Sequence, residues 1–165
     1  MSEVATMQEE DLILLVGAGN EFRSDDAVGP VIAKKIFQLY PDRTRYIKDV
    51  GDSTKLIEHW KKRKHVFFVD AVCSGCEPGT VFRFDALNEE IPEDITSSLS
   101  THTFNLREAI ELARTLESLP EKLIVYCIEC RNFEHGKCFS QEIKPAISKV
   151  IIKIKQEIDE LVYLS

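Results

Sequence analysis

The sequence has no long apolar run, no excess of basic residues and no basic amino-terminal region. No apolar stretch approaches the roughly 18 residues that span a bilayer, so we expect no membrane insertion. Lys and Arg number 21 against 28 Asp and Glu, for a net charge of −7, which disfavours nucleic-acid binding through bulk electrostatics. Residues 1–11 include acidic side chains and no basic ones, so we do not expect a secretory signal.

The five cysteines are an odd number, and without an export signal we expect reduced thiols and a cytoplasmic location. Cys73 and Cys76 form one CxxC pair, and Cys127 and Cys130 form a second. The two pairs could build a tetrathiolate zinc site, or the first could be a redox pair. Against zinc, Cys127 lies in an apolar segment that should face a core, and the gap between the pairs exceeds that of a compact zinc ribbon.

Apolar segments alternate with helical patterns along the chain, which predicts an α/β fold. We expect one domain over residues 1–165, with three layers: a twisted, mostly parallel sheet with helices on both faces. Residues 1–11 are expected to fray. The predicted strands are residues 12–16, 44–50, 65–69, 80–84 and 123–128, and the predicted helices begin near Asp25, Ser53, Asn105 and Ser140. The fourth strand follows the third too closely for a helical crossover, so we expect these two to pair antiparallel.

The turn after the first predicted strand contains Gly17 and Gly19, as the start of a dinucleotide-binding fingerprint would. The third glycine is missing, because Phe22 stands in its place. Asp25 and Asp26 then occupy the start of the following helix, where their charge competes with a phosphate. No Lys-Ser/Thr pair follows the glycines, so a P-loop is excluded and nucleotide binding is disfavoured.

Two carboxylates and one imidazole stand out as candidates for chemistry. Asp25 and Asp26 could cap the helix, but one acid suffices for that role. Asp70 ends an apolar strand, where ligand sites of open parallel sheets lie, although it could also cap the following loop. His102 precedes a helix and, taken alone, would be read as an exposed histidine. Together Asp26, Asp70 and His102 offer oxygen and nitrogen ligands to a borderline divalent metal, with positions left for water.

Four blocks in order resemble the signature of the [NiFe]-hydrogenase maturation proteases. The blocks are LLVGAGNEFRSDDAVG at 14–29, FVDAV and PGTV at 68–72 and 78–81, STHTF at 100–104, and YCIEC and FEHGKCFS at 126–130 and 133–140. The resemblance implies a single α/β domain with a twisted sheet between helices. It also implies a nickel-dependent endopeptidase that removes a C-terminal extension from the hydrogenase large-subunit precursor, its partner, after nickel insertion.

Asp26, Asp70 and His102 lie at positions that match the family's motifs. The resemblance therefore implies that these three residues are both the metal ligands and the catalytic residues. The nickel is carried by the substrate, and other divalent metals can substitute for it in vitro. The metal either activates water or only positions the scissile bond. Residues expected to support the site are Asp25, Asn20 and Gly19. Oligomeric state is not indicated.

This chain departs from the family pattern at several positions. Asp26 stands where many relatives carry Glu, and Cys127 and Cys130 replace the Gly and Pro of a G-I-E-P block. Residues 50–54 replace a D-G-G-T segment. The alternatives are a non-cleaving, nickel-dependent checkpoint or chaperone of hydrogenase assembly, and another peptidase or amidase on the same scaffold. A zinc-stabilised domain with a nucleotide-type turn is a third.

Overall fold

The structure is a computed structural model that describes residues 7–48, 52–96, 106–136 and 138–164. Within these residues, five strands form one sheet between helices, as the alternating pattern predicts. The strands are β1 Ile13–Gly17, β2 Thr44–Lys48, β3 His65–Val72, β4 Val81–Asp85 and β5 Lys122–Glu129. The helices are α1 Val28–Leu39, α2 Ser53–Trp60, α3 Glu93–Thr96, α4 Leu106–Thr115 and α5 Ile143–Tyr163, with 3-10 turns at Glu9–Asp11 and Ser24–Ala27.

The sheet is mixed and mostly parallel, with strand order β2-β1-β3-β5-β4. Strands β2, β1, β3 and β5 run parallel to one another, and β4 runs antiparallel to β5. The predicted antiparallel strand is therefore present, but the predicted partner is wrong. β4 pairs with β5 because β5 inserts between β3 and β4 and forms hydrogen bonds along both of its edges.

Side chains alternate between the two faces of the sheet and build two apolar layers. Leu14, Phe68 and Leu123 pack in the layer that contains buried residues of α2 and α4. Leu15 and Phe67 pack in the opposite layer, with buried residues of α1 and α5. Strands β1, β3 and β5 are buried on both faces, which explains why they appear in the sequence as continuous apolar runs, whereas β2 and β4 are only partly buried.

The order of connections places a topological switch point between β1 and β3. The chain leaves β1 through α1, in one layer, to reach β2, and leaves β2 through α2, in the other layer, to reach β3. At the carboxyl end of this strand pair, Ala18 N donates to the Val69 carbonyl at 2.9 Å. Ligand crevices of open α/β sheets form at such points.

Several element ends differ from the predicted ones. Asp52, not Ser53, caps α2, since its Oδ1 accepts a 2.8 Å hydrogen bond from Lys55 N. Ser140 does not cap α5 with its side chain, which binds a distant carboxylate instead. A single helical turn, α3, lies between the predicted strand at residues 80–84 and the helix predicted near Asn105, where the sequence predicts neither helix nor strand.

Residues 9–11 are more ordered than their polar sequence predicts. Residues 9–11, expected to fray, form a 3-10 turn, and Arg63 donates to the Glu9 carboxylate at 2.7 Å. Lys64 forms an ion pair with Asp11. Among the described residues, no helix is long and apolar enough to cross a membrane.

Candidate functional site

The two candidate aspartates lie at the switch point, at the carboxyl ends of β1 and β3. Asp26 lies in the 3-10 turn between β1 and α1, which contacts β3. Asp70 lies within β3 and not after it, so the prediction that it ends the strand is wrong. The strand continues to Val72 because residues 70–72 pair in register with Cys127–Glu129 of β5.

The Asp26 carboxylate is buried but only half satisfied. Its side chain is 2% exposed, and Oδ2 accepts a 3.0 Å hydrogen bond from Asn20 N. Its Oδ1 is buried and has no hydrogen-bond partner among the residues that the structure describes. A buried, unpaired carboxylate oxygen is costly, and such groups concentrate at functional sites. This oxygen is suited to bind a cation.

Gly19 and Asn20, which were predicted to support the site, lie against Asp26. Gly19 has φ of +114°, and a Cβ atom there would lie 2.1 Å from the Asp26 carbonyl oxygen and 3.1 Å from Oδ1. Only glycine therefore fits at this position without moving Asp26. Asn20 in turn accepts a hydrogen bond from Phe22 N at 2.9 Å through its side-chain oxygen, which fixes the bend of the turn.

Asp25 has a different role from its neighbour. It is fully buried, and its carboxylate accepts hydrogen bonds from Ser140 N at 2.8 Å, Ser140 Oγ at 2.8 Å and Asn132 N at 3.3 Å. The helix-capping interpretation of the two acids is wrong, because neither the 3-10 turn nor α1 has a side-chain cap. Asp25 joins the turn that carries Asp26 to the segment after β5.

Backbone and side-chain hydrogen bonds extend this junction. Ser24 N donates to the Gly136 carbonyl at 3.1 Å, Gly136 N donates to the Phe22 carbonyl at 3.0 Å, and Asp25 N donates to the Asn132 carbonyl at 3.1 Å. The Ser24 hydroxyl donates to the Glu134 carbonyl at 3.0 Å. The turn is thus fixed on both sides of Asp25.

Asp70 is also fully buried, and its Oδ1 accepts a 2.8 Å hydrogen bond from Ala71 N. Along β3 it alternates with Phe67 and Val69, so its side chain shares the face of Phe68. This is the face covered by α4, whose first residue, Leu106, follows His102 by four positions. His102 lies outside the described residues, so the convergence of the three ligands stays a prediction.

The thiols do not gather into a zinc site. Cys127 and Cys130 are buried in opposite layers of the sheet, whereas Cys73 and Cys76 are exposed. Among the described residues, which include all four, no group of three or more His, Cys, Asp or Glu side chains could hold a metal ion. The tetrathiolate alternative therefore fails.

The two buried thiols lie close to the candidate carboxylates. Burial raises the pKa of the Cys127 thiol well above its usual range, and the charge of Asp70 adds to the effect. Burial and then the charges of Asp25 and Asp70 raise the pKa of Cys130. Both thiols are therefore protonated at neutral pH and act as small apolar groups.

Glu129 is a further buried carboxylate, and sequence reasoning missed it. It is 1% exposed, and it accepts hydrogen bonds from Ser74 N at 2.9 Å, Ser74 Oγ at 2.7 Å and Gly75 N at 3.0 Å. It thereby fixes the loop that follows β3. The available signal was an acid at the end of an apolar strand, but its partners are 54 and 55 residues away.

Comparison with known proteins agrees with the resemblance. The family model for hydrogenase maturation proteases matches residues 33–157. The chain is 31% identical over 163 residues to coenzyme F420 hydrogenase subunit delta of Methanothermobacter thermautotrophicus, covering 88% of this chain and 94% of that protein. It is 26% identical over 151 residues to hydrogenase 2 maturation protease of Escherichia coli, covering 87% and 91%.

The fold is similar to that of the hydrogenase maturating endopeptidase HybD of Escherichia coli. The TM-score is 0.70 at 21% identity, over 90% of this chain and 93% of that chain. The domain is thus a mixed α/β sheet protein with the architecture of a peptidase. This chain belongs to the hydrogenase maturation protease family, and the family resemblance is confirmed.

Proposed function

We propose that this protein is an endopeptidase that removes the C-terminal extension of a [NiFe]-hydrogenase large-subunit precursor after nickel has been inserted. The proposal rests on family membership and on one feature of the site, the buried and unpaired Oδ1 of Asp26. An unpaired carboxylate oxygen at a sheet switch point needs a positive partner. A metal ion carried by the substrate would supply it.

The proposed ligand set matches the charge of a divalent ion. Asp26 and Asp70 supply two negative charges, and His102 supplies a neutral imidazole nitrogen, which leaves other positions for substrate and water. Burial of both carboxylates near the switch point strengthens their attraction for the cation. The nickel then acts as the recognition element, since a precursor without it lacks the charge that the site requires.

Hydrolysis adds water across the scissile amide. The water oxygen bonds to the carbonyl carbon, the carbon–nitrogen bond breaks, and the released amine takes a proton. The metal polarises the water, or one of the carboxylates removes its proton while the metal holds the bond in register. In both routes Asp26 contributes through its free oxygen, while Asp25 keeps the turn in place.

Incubation of the purified protein with nickel-loaded and nickel-free precursor tests the proposal. We expect mass spectrometry to show a shortened large subunit only with the loaded precursor. Asp26→Asn and His102→Ala should each abolish shortening, and Glu142→Gln, outside the site, should not. Cleavage by the Asp26→Asn variant, or equal cleavage of both precursors, would contradict the proposal.

One observation favours a second candidate, a nickel-dependent checkpoint that does not cleave. The relative from Methanothermobacter is named as a hydrogenase subunit and not as a protease. The same incubation separates the two candidates. A checkpoint binds the loaded precursor in a pull-down that depends on Asp26, yet the large subunit keeps its full mass.

A further inference from the structure

Two exposed thiols lie on a short, fixed loop directly after β3. Cys73 and Cys76 are exposed, whereas Cys127 and Cys130 are buried, and Cys138 is exposed elsewhere in the chain. The loop has no role in the proposed hydrolysis. We infer that Cys73 and Cys76 form a reversible disulfide within the loop, so that this loop is a site of thiol modification.

The first argument is the shape of the loop. The chain bends at Ser74, Gly75 and Cys76, and Gly75 has φ of +91°. Three successive bends bring the ends of a four-residue segment closer together than the roughly 10 Å between its end Cα atoms in an extended chain. Disulfides span Cα separations of about 4.4–6.8 Å, so these bends bring the Cys73 and Cys76 backbones toward the range that ring closure requires.

The second argument is that hydrogen bonds to the buried carboxylate of Glu129 anchor the loop. This buried carboxylate takes hydrogen bonds from Ser74 N, Ser74 Oγ and Gly75 N, so the middle of the loop is anchored while its two thiols are exposed. An anchored bend keeps the two sulfurs at high effective concentration toward each other. Glu129 and Ser74 are therefore positioning residues for ring closure.

The third argument concerns whether Cys73 and Cys76 form a disulfide or bind a metal ion. A thiol-rich metal site normally has four ligands, and among the described residues no third His, Cys, Asp or Glu side chain joins these two thiols in a candidate site. Two thiols without further ligands are better suited to oxidation. Exposure supports this choice, because a thiol must be reached by its oxidant.

The chemistry balances with a small-molecule disulfide as oxidant. One thiolate of the loop attacks a sulfur of the oxidant, forming a mixed disulfide and releasing one small thiolate. The second loop thiolate attacks the protein sulfur, closes the ring and releases the second small thiolate. The loop loses two protons and two electrons, and the oxidant gains both, so thiol reductants reverse the step.

The experiment equilibrates the full-length protein with glutathione redox buffers, blocks free thiols with an alkylating reagent and maps peptides by mass. We expect a peptide with Cys73 joined to Cys76, lighter by two hydrogen atoms, and free Cys127, Cys130 and Cys138. The mixed disulfide should be at least about tenfold less populated than the ring. Cys73→Ser and Cys76→Ser should instead accumulate glutathione on the remaining loop thiol.

A second variant tests the anchoring. Ser74→Ala removes one hydrogen bond to Glu129 and should lower the stability of the ring about fivefold, which makes its reduction potential less negative by about 20 mV. Ser148→Ala, on α5, is the matched control and should leave the potential unchanged. Separate glutathione adducts on Cys73 and Cys76, disulfide-linked dimers, or stoichiometric bound zinc would each overturn the inference.

Discussion

Ser140 donates two hydrogen bonds to the carboxylate of Asp25, one from its backbone N to Oδ1 and one from its hydroxyl to Oδ2, both at 2.8 Å. The two residues are 115 positions apart. Since Asp25 is fully buried and adjoins Asp26, this contact connects the candidate metal ligand to the segment before α5. The geometry of the site therefore depends on a residue outside it.

Removal of the Ser140 hydroxyl should weaken both the fold and the site. We expect Ser140→Ala to lower the free energy of unfolding by about 1.5–3 kcal/mol, because a buried carboxylate loses one of its donors. Urea titration measures this loss, and nickel titration should show weaker binding. Ser148→Ala, whose hydroxyl donates only to the Lys144 carbonyl, should change neither. Equal effects of the two variants would show that the contact has no energetic role.

The adjacent acids should respond oppositely to the same substitution. Asp25→Asn should destabilise the protein by about 3 kcal/mol, since three donors face its carboxylate. Asp26→Asn should instead stabilise the metal-free protein by about 1 kcal/mol, because a neutral amide replaces a buried charge with one unpaired oxygen. Asp26→Asn should nevertheless abolish nickel binding.

Urea denaturation without metal and nickel calorimetry test the pair together. A large loss of stability in Asp26→Asn would mean that its Oδ1 has a partner in solution. The expected trade between stability and function is typical of residues that are retained for binding.

The elements could be predicted from sequence because each depends on a local pattern. Apolar runs ended by Gly17 or bounded by turn residues gave β1 and β5 with errors of one residue at each end. Local patterns do not encode pairing partners, so β4 was assigned to β3 when β5 is its neighbour. Serine is a common helix cap, which is why Ser140 was expected to begin α5. Its hydroxyl instead binds the buried carboxylate of Asp25, which is distant in sequence.

The site was only partly predictable for the same reason. Asp26 and Asp70 were singled out because motif order and sheet topology both place them at one edge, and their role as ligands stays a prediction. Contacts with residues 132–140 pair Asp25, and not Asp26, with hydrogen-bond donors. No spacing rule in the sequence encodes these contacts. The role of Glu129 depends likewise on a loop that precedes it by more than fifty residues.

Gly19 should tolerate no side chain, because of both its positive φ and its closeness to Asp26. A second glycine, Gly75, separates these two causes. Gly19→Ala combines an unfavourable positive φ with a Cβ atom 2.1 Å from the Asp26 carbonyl oxygen. Gly75→Ala has a similar φ of +91° but meets no atom within 4 Å. We expect Gly75→Ala to cost about 1–2 kcal/mol of unfolding free energy and Gly19→Ala clearly more, with loss of nickel binding. Similar losses by urea titration would show that the turn can move aside.

The ion pair between Arg83 and Glu157 should make stability depend on acid pH. Arg83 donates to both Glu157 oxygens, at 2.9 Å and 2.7 Å, and the buried Tyr126 hydroxyl donates to the same carboxylate. Burial alone would raise the pKa of Glu157, but these hydrogen bonds outweigh it and lower the pKa below its usual 4.5. Folding therefore favours the ionised form.

The lowered pKa of Glu157 determines how stability changes with pH. A carboxylate whose pKa falls on folding contributes stability above its unfolded-state pKa, and the contribution is lost as pH falls through the folded pKa. We expect Glu157→Gln to be less stable than the parent at pH 7, and the difference to shrink below about pH 4. Glu160→Gln, at an exposed position of α5, is the control and should show little difference at either pH. Urea titrations across this range measure the effect. A difference that does not change with pH would mean that the carboxylate charge is not what stabilises the contact of α5 with β4 and β5.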